Sequence, residues 1–219
     1  MTQIINSTLN REDAVALLGP SHAEEVARKV PTAVVAASTD STAAERTQQL
    51  FSTVEFRVYT SDDPIGVELG AALKNIVAIA AGIVDGIGFD SSDNMKGALL
   101  TRGLAEITRL GVAMGANPET FAGLSGVGDL VTTCLSKHSR NRYVGEQIGR
   151  GRSLNEVLSE MSMVAEGVNA TRAALRLARL HNVDMPIAEA VHAMLFDGVP
   201  ARIALTNLMT RPLTSEIRR

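Results

Sequence analysis

One lysine interrupts the most apolar stretch of the chain. Lys74 lies within G-A-A-L-K-N-I-V-A-I-A-A-G, which runs from Gly70 to Gly82. Burying an ammonium on such a helix costs desolvation free energy. A lysine held there can exchange a proton with an alcohol or a carbonyl near neutral pH. The same position also suits a lysine whose head group reaches water from the edge of the helix. The sequence leaves both interpretations of Lys74 open.

Two polar turns carry groups that can hold a phosphate. Ser139 to Arg142 (S-R-N-R) brings two guanidiniums, a hydroxyl and an amide to a predicted helix start, where charge-assisted hydrogen bonds and N-terminal amides favour an anion. Gly19 to Ser21 (G-P-S) follows a strand-like run and precedes a helix, so its amides and hydroxyl can hold a phosphate or a ribose. The alternative for S-R-N-R is a solvated polar turn. The alternative for G-P-S is an ordinary strand-to-helix connection with a serine cap.

Two carboxylates adjoin glycines. Asp129 follows G-V-G in a predicted flexible turn, where it can accept hydrogen bonds from a polyol or cap the next helix. Glu166 begins a predicted helix and suits the positive end of the helix dipole. The four histidines are scattered and Cys134 is the single cysteine, so no metal-ligand spacing occurs and no metal site is predicted.

Composition narrows the class of protein. The net charge of −3 and the scarcity of aromatic residues, at 3%, argue against binding to nucleic acid. A single cysteine fits a reducing cytoplasm, and the first ten residues do not have the pattern of a signal peptide. The longest apolar run, at 76–84, is shorter than the ~20 residues of a spanning helix. We therefore expect a cytoplasmic protein without membrane insertion.

The chain changes character near residue 61. Before that point, apolar runs suited to strands alternate with helical patterns, which predicts a short βαβαβ unit with parallel strands. The predicted elements are a strand-like run at 14–18, a helix at 22–29, a strand at 32–37, a helix at 41–51 and a strand at 56–60.

After residue 61 the sequence predicts only helices. The predicted helices are a buried one at 65–84, one that begins at Asp93 or Asn94 and stops at Gly115, one that begins at Asn117-Pro118, one behind a capping box at Ser153–Glu156, and three more at 166–181, 186–198 and 200–209. The predicted fold class is mainly α, with an all-helical domain at 63–219 and a partial α/β domain at 1–62.

Seven segments, in this order, resemble bacterial NAD(P)-dependent glycerol-3-phosphate dehydrogenases. They are G-P-S-H-A-E-E-V-A from Gly19, R-V-Y-T-S-D-D from Arg57, G-V-E-L-G-A-A-L-K-N from Gly66, L-T-R-G-L-A-E from Leu100, G-V-G-D-L from Gly126, S-R-N-R from Ser139 and A-E-G-V from Ala165. The resemblance runs from about residue 14 to about residue 210.

This resemblance implies a fold and a reaction. The helical domain is expected to be of the 6-phosphogluconate dehydrogenase-like C-terminal type, and the front to be the remnant of a Rossmann domain. The family reduces dihydroxyacetone phosphate to sn-glycerol 3-phosphate for glycerophospholipid synthesis, with NAD or NADP as the cofactor. A homodimer is implied as well. A 3-hydroxyacid dehydrogenase is a related alternative, but a carboxylate substrate does not need the phosphate-binding S-R-N-R segment.

The resemblance also implies site residues. Lys74 matches the family's catalytic proton donor and acceptor. The matched substrate contacts are Gly19, Ser21, Lys74, Asp129, Ser139, Arg140 and Asn141. The matched cofactor contacts are Ala23, Arg140, Val164 and Glu166.

Two family features are absent from these residues. The glycine fingerprint G-x-G-x-x-G, which lets the backbone approach a pyrophosphate, does not occur in the chain, and the family's upstream substrate-contacting lysine is absent too. We therefore expect an incomplete nucleotide site, an exposed sheet edge at the front and doubtful activity for these residues alone. A cofactor-free helical binding or dimerisation module is the alternative function.

Overall fold

The front of the protein is a small sheet with helices around it. The computed structural model describes residues 1–89 and 92–216. Its front elements are α1 (Thr2–Leu9), β1 (Ala16–Leu18), α2 (Ala23–Val26), β2 (Thr32–Ala37), α3 (Ser41–Phe51) and β3 (Phe56–Ser61). The predicted strands at 32–37 and 56–60 and the helix at 41–51 are thus confirmed.

The direction of β1 corrects the predicted sheet. Strands β2 and β3 are parallel, with Val34 opposite Val58, but β1 is antiparallel to β2, with Leu17 opposite Ala36. A parallel connection needs a crossover of about a dozen residues, usually in a helix. Helix α2 is a single turn instead of the predicted 22–29, and Lys29 takes a left-handed φ of 58°. The connection therefore turns back beside β1 without crossing the sheet.

The helical part begins at α4 and continues to the end of the described chain. Asp63 caps α4 by accepting a hydrogen bond from Gly66 N at 2.8 Å, Pro64 occupies the first turn, and Gly88 ends the helix with a φ of 78°. The helices are α4 (Pro64–Ile87), α5 (Asp93–Ala113), α6 (Asp129–Leu135), α7 (Arg140–Gly149), α8 (Leu154–Glu160), α9 (Glu166–Leu180), α10 (Pro186–Phe196) and α11 (Ala201–Met209).

Helix α4 is the centre of the core. Its apolar side chains form one buried cluster with residues of α5, α6, α7, α9 and α10. The apolar run expected at 76–84 lies inside this helix of 24 residues, which is long and apolar enough by composition to cross a membrane. In its most apolar window, 72% of the residues are buried inside the protein, as in the core helix of a globular fold.

Glycines bring α4 and α7 into close contact. A Cβ atom built on Gly145 would collide with the carbonyl oxygen of Ile79, and one built on Gly82 would collide with the carbonyl oxygen of Arg142. The two backbones can approach this closely only because these positions have no side chain. This contact sets the position of the start of α7 relative to Lys74.

Two segments have a local structure that differs from the predicted one. Asn117-Pro118 begins a 3₁₀ helix, Pro118–Ala122, where an α-helix was expected. The predicted flexible glycine turn before Asp129 is a π-helical turn, Leu124–Gly128, that runs directly into α6. It is tightly packed, because a Cβ on Gly126 would collide with the backbone of Phe121. The capping box of Ser153 and Glu156 is confirmed at the start of α8.

Candidate active site

A lysine and an aspartate form an ion pair between α4 and α6. Lys74 Nζ lies 2.5 Å from Asp129 Oδ1, and the two side chains are 16% and 4% exposed. The hydroxyl of Thr133 also donates to Asp129 Oδ1, at 3.3 Å. The buried carboxylate compensates the desolvation of the ammonium, so Lys74 is held inside the protein and does not extend into water.

The second oxygen of Asp129 is unused. Asp129 Oδ2 is buried and has no hydrogen-bond partner in the part of the chain that the structure describes. A buried carboxylate oxygen without a donor is unfavourable, since desolvation is not repaid. A hydroxyl donor from a bound ligand would satisfy it.

The thiol of Cys134 is packed behind this pair. Burial raises the pKa of Cys134 to about 12, with opposing smaller effects from the charges of Lys74 and Asp129. A thiol with so high a pKa is protonated near neutral pH and is a poor nucleophile. The structure therefore assigns Cys134 to packing in the apolar core.

The start of α7 carries the polar S-R-N-R segment. Ser139 is the N-cap, with its hydroxyl accepting from Arg142 N at 3.2 Å. Arg140 is exposed, and its Nη1 donates to the carbonyl oxygen of Val164 at 3.0 Å. Ser139 and Asn141 are buried, so Arg140 is the exposed cation at this helix start, where the N-terminus of α7 also favours an anion.

The contacts of Arg142 correct the prediction that both guanidiniums of the S-R-N-R segment can hold a phosphate. Its Nη2 and Nε atoms lie 2.6 and 2.8 Å from Asp85 Oδ2 on α4. Lys96 forms a further ion pair with the other oxygen of Asp85. Because Arg142 is bound to this carboxylate, Arg140 is the guanidinium that remains available at the start of α7.

A buried amide pair joins three helices. Asn141 Nδ2 donates to Asn75 Oδ1 at 2.9 Å, and Asn141 Oδ1 accepts from Gly167 N at 2.8 Å. Asn75 follows Lys74 directly, and Gly167 lies in the first turn of α9. The pair therefore connects the lysine, the S-R-N-R segment and the start of α9. Sequence reasoning missed Asn75, although a second polar residue beside Lys74 in an apolar helix was a usable signal.

The front turn meets the helical part next to this segment. Gly19 has a φ of 148°, and a Cβ on it would lie 3.0 Å from Val34 Cα. Ser21 Oγ donates to Gly19 O at 3.1 Å. The imidazole centroids of His22 and His138 are 6.2 Å apart, which brings the residue after Ser21 close to the residue before Ser139.

Other predicted positions lie at the starts of α2 and α9. No hydrogen bond or ion pair among the described residues joins Ser21 or Ala23 to Lys74. Glu166 is exposed in the first turn of α9, beside Val164. A hydrogen bond at its own backbone lowers the pKa of Glu24 below its usual value, with smaller contributions from neighbours that include His138 and Arg140. The carboxylate of Glu24 at the front thus lies within electrostatic range of the residues around the start of α7.

The described residues contain no cluster of three His, Cys, Asp or Glu side chains that could hold a metal ion.

Similarity to known proteins identifies the family. Residues 63–206 match the family described as NAD-dependent glycerol-3-phosphate dehydrogenase C-terminus, and residues 1–44 match the corresponding N-terminus. The chain belongs to this family. Glycerol-3-phosphate dehydrogenase [NAD(P)+] of Pelotomaculum thermopropionicum is 60% identical over 93% of this chain and 58% of its own length. That of Prosthecochloris aestuarii is 56% identical over 99% of this chain and 66% of its own length.

Solved structures agree with the family. The crystal structure of glycerol-3-phosphate dehydrogenase from Coxiella burnetii superposes with a TM-score of 0.85 at 40% identity, covering 90% of this chain and 60% of that one. The enzyme from Saccharomyces cerevisiae gives a TM-score of 0.82 at 26% identity, covering 94% of this chain and 62% of that one. This member of the dehydrogenase family therefore spans about 60% of the length of these relatives. It has the predicted mainly helical fold with a partial Rossmann-like front.

Proposed function

We propose that this chain carries the substrate-binding part of an NAD(P)-dependent glycerol-3-phosphate dehydrogenase. The reaction is the reversible reduction of dihydroxyacetone phosphate to sn-glycerol 3-phosphate. The observation that supports it best is the buried pair of Lys74 and Asp129, in which one carboxylate oxygen has no partner. The boundary between the partial Rossmann domain and the helical domain is proposed at residues 62 and 63.

Lys74 is the proposed proton donor. NAD(P)H, when held by the residues proposed below, would supply the hydride for the carbonyl carbon, and the electron pair of the carbonyl bond would then be left on its oxygen. The ammonium of Lys74 stabilises that developing negative charge and transfers a proton to the oxygen. In the reverse direction, neutral Lys74 accepts the proton of the alcohol. Asp129 Oδ1 holds the Nζ atom in position throughout.

Asp129 has a second proposed role in binding. Its Oδ2 atom can accept a hydrogen bond from a hydroxyl of dihydroxyacetone phosphate or of sn-glycerol 3-phosphate. This contact removes the penalty of the buried, unpartnered oxygen. A substrate without a hydroxyl at that place leaves the penalty in force, which favours polyol phosphates over simple keto acids.

The substrate phosphate is proposed to bind at the start of α7. Ser139, Arg140 and Asn141 supply the helix N-terminus and one guanidinium that has no carboxylate partner in the described chain. The turn at Gly19 and Ser21 closes the site from the front, since it lies beside the same segment. A bidentate guanidinium contact combined with N-terminal amides suits a phosphate dianion.

NAD or NADP is proposed to contact Ala23, Arg140, Val164 and Glu166. The hydrogen bond from Arg140 to the carbonyl of Val164 fixes an exposed polar surface beside the proposed phosphate site. That surface fits one end of a dinucleotide. The residues that usually hold a pyrophosphate, with their glycine fingerprint, are not among these 219 residues.

Two measurements on the chain test the proposal. The first follows NADPH absorbance after addition of dihydroxyacetone phosphate. The rate is compared with that of a separate reaction in which a short 3-oxo acid is the substrate. The second is titration with sn-glycerol 3-phosphate. Lys74→Ala is expected to abolish any turnover that the chain shows and to weaken binding of sn-glycerol 3-phosphate at least tenfold. Lys74→Arg keeps the charge but cannot release a proton, so it should restore binding without turnover. Lys29→Ala on the surface is the control.

Three outcomes would contradict the proposal. One is turnover that survives Lys74→Ala, and another is a preference for the 3-oxo acid. The third is a chain that binds neither sn-glycerol 3-phosphate nor NADPH but self-associates with rising concentration, as a cofactor-free helical dimerisation module would.

The cellular setting is proposed from the same family. We place the enzyme in the cytoplasm as a homodimer without membrane insertion or nucleic-acid partners, where its product enters glycerophospholipid synthesis. Sedimentation of the chain at several concentrations tests the dimer, and a single monomeric species at all of them would contradict it.

A further inference from the structure

A cavity opens at the opposite end of α7 from Ser139. It has a volume of about 980 Å³ and lies between the end of α7, the start of α8, the first half of α9, the end of α10 and the start of α11. Neither Lys74 nor Asp129 lines it. Helix α7 rises ~1.5 Å per residue, so its end in this groove lies far along the helix from the proposed phosphate site at its N-terminus. On α9, the lining begins at Val168, one residue after Gly167, which donates to Asn141.

Arginines dominate the polar lining of the groove. They are Arg150, Arg152, Arg172 and Arg202, and among the described lining residues there is no aspartate or glutamate. A cavity with guanidiniums on several sides and no carboxylate concentrates positive potential. Such a potential favours an anionic ligand.

Two of these arginines are neutralised from outside the groove. Arg150 pairs with Glu146, and Arg152 pairs with Glu160, each at 2.5 Å. In the described part of the chain, Arg172 and Arg202 form no ion pair with a carboxylate. The groove therefore has two uncompensated positive charges.

Aromatic rings and a carbonyl hold both of these guanidiniums in place. Arg172 stacks over Phe196 with its Cζ atom 3.9 Å from the ring centroid. Arg202 lies 5.2 Å from the ring centroid of Phe89, and its Nη2 donates to Ile87 O at 3.2 Å. A stacked guanidinium keeps its N–H edge available for a bidentate oxyanion. Less conformational entropy is then lost when a ligand binds.

We propose that this groove is a binding site for a phosphomonoester dianion with an apolar body. A phosphomonoester carries roughly −1.5 to −2 charges near neutral pH, which matches the two uncompensated guanidiniums of Arg172 and Arg202. Buried apolar residues of the lining, Ile148, Val168 and Leu195, provide a surface for the apolar body. The site is independent of the proposed catalytic function, because it shares none of its residues.

Titration of the full chain with hexyl phosphate and with inorganic phosphate tests the site. Amide NMR signals of Gly151, Asn155 and Gly198 report on the groove, and those of Ser139 and Arg140 report on the proposed active site. Arg172→Gln with Arg202→Gln is expected to weaken the groove response at least tenfold. Arg176→Gln with Arg179→Gln is the control, since it removes the same charge from α9 outside the lining. Lys74→Ala should leave the groove response unchanged even if the proposed catalytic function is wrong.

Comparison of the two double variants, which remove the same charge, decides whether the groove is a specific site. Saturable binding that is lost only with Arg172 and Arg202 supports the site. An equal loss in both pairs, or a response that never saturates, overturns it, because either result indicates a general attraction to a basic surface. Circular dichroism and thermal unfolding confirm that each variant folds. Sedimentation with phosphatidate vesicles, compared with phosphatidylcholine vesicles, then shows whether the phosphomonoester comes from a lipid headgroup or a soluble molecule.

Discussion

Lys74 Nζ and Asp129 Oδ1 lie 2.5 Å apart where α4 faces the start of α6. The two residues are separated by more than fifty positions in the sequence, and the π-helical turn at Leu124–Gly128 brings the carboxylate into place. Both side chains are largely buried, so each charge depends on the other for compensation.

Asp129→Asn should therefore destabilise the protein and disable the site. Leaving the Lys74 ammonium without its buried counter-ion is expected to lower the free energy of unfolding by roughly 3 kcal/mol. Urea unfolding measures this loss. Lys74→Met combined with Asp129→Leu removes both charges and should recover most of the stability without recovering binding of sn-glycerol 3-phosphate. If the double variant is as unstable as the single one, the ion pair is not the source of the effect.

Asn141→Ala should disconnect α7 from α4 and α9. It removes the acceptor of Gly167 N and the donor to Asn75 Oδ1, both of which are buried. Unsatisfied buried groups cost roughly 1 to 3 kcal/mol each, so thermal and urea unfolding should show a clear loss. Asn75→Ala is expected to be less than additive with it, because the two share one hydrogen bond. Full additivity would mean that the amide pair does not act as a unit.

Glu106 should make stability depend on pH. Its carboxylate accepts from Ile187 N at 2.7 Å and from Ala188 N at 3.3 Å at the start of α10. Burial raises the pKa of Glu106 from 4.5 to about 7, although those two hydrogen bonds oppose the rise. Between these two pH values the native state keeps a proton that the unfolded state releases, so stability falls as pH rises.

The size of the fall follows from the shift in pKa. The contribution of protonated Glu106 to the free energy of unfolding is fully present below pH 4.5 and is lost by about pH 7. The total loss is about 3 kcal/mol. Urea unfolding of the wild-type protein and of Glu106→Gln across this range measures it. The difference between the two proteins should change in this window and stay constant above it. A difference that is independent of pH would show that Glu106 is ionised in the folded protein throughout.

The sequence predicted the helical part well because its signals are local. The capping box at Ser153, the proline at the start of α10 and the apolar run of α4 each depend on residues a few positions apart. The direction of β1 could not be read in this way, since a strand's own pattern does not show which way its partner runs. The pairing of Arg142 with Asp85 was equally hidden, because it depends on where α7 crosses α4.

The crossing of α4 and α7 provides the last prediction. Gly145→Ala places a Cβ against the carbonyl oxygen of Ile79. Moving α7 away from α4 to relieve this collision is expected to stretch the hydrogen bond between Asn141 and Asn75. We expect a loss of roughly 1 to 3 kcal/mol in the free energy of unfolding, as for other overpacked sites. Binding of sn-glycerol 3-phosphate should weaken in parallel.

Gly97→Ala is the matched control for that substitution. Gly97 also lies inside a helix, α5, but a Cβ built there has nothing within 4 Å. Alanine is favoured over glycine by about 1 kcal/mol in a helix interior, so this variant should be slightly more stable than the wild type. Opposite signs for the two glycine-to-alanine changes, measured by urea unfolding, separate the close approach of α4 and α7 from helix propensity. Equal effects at both positions would show that the contact between these helices does not require glycine.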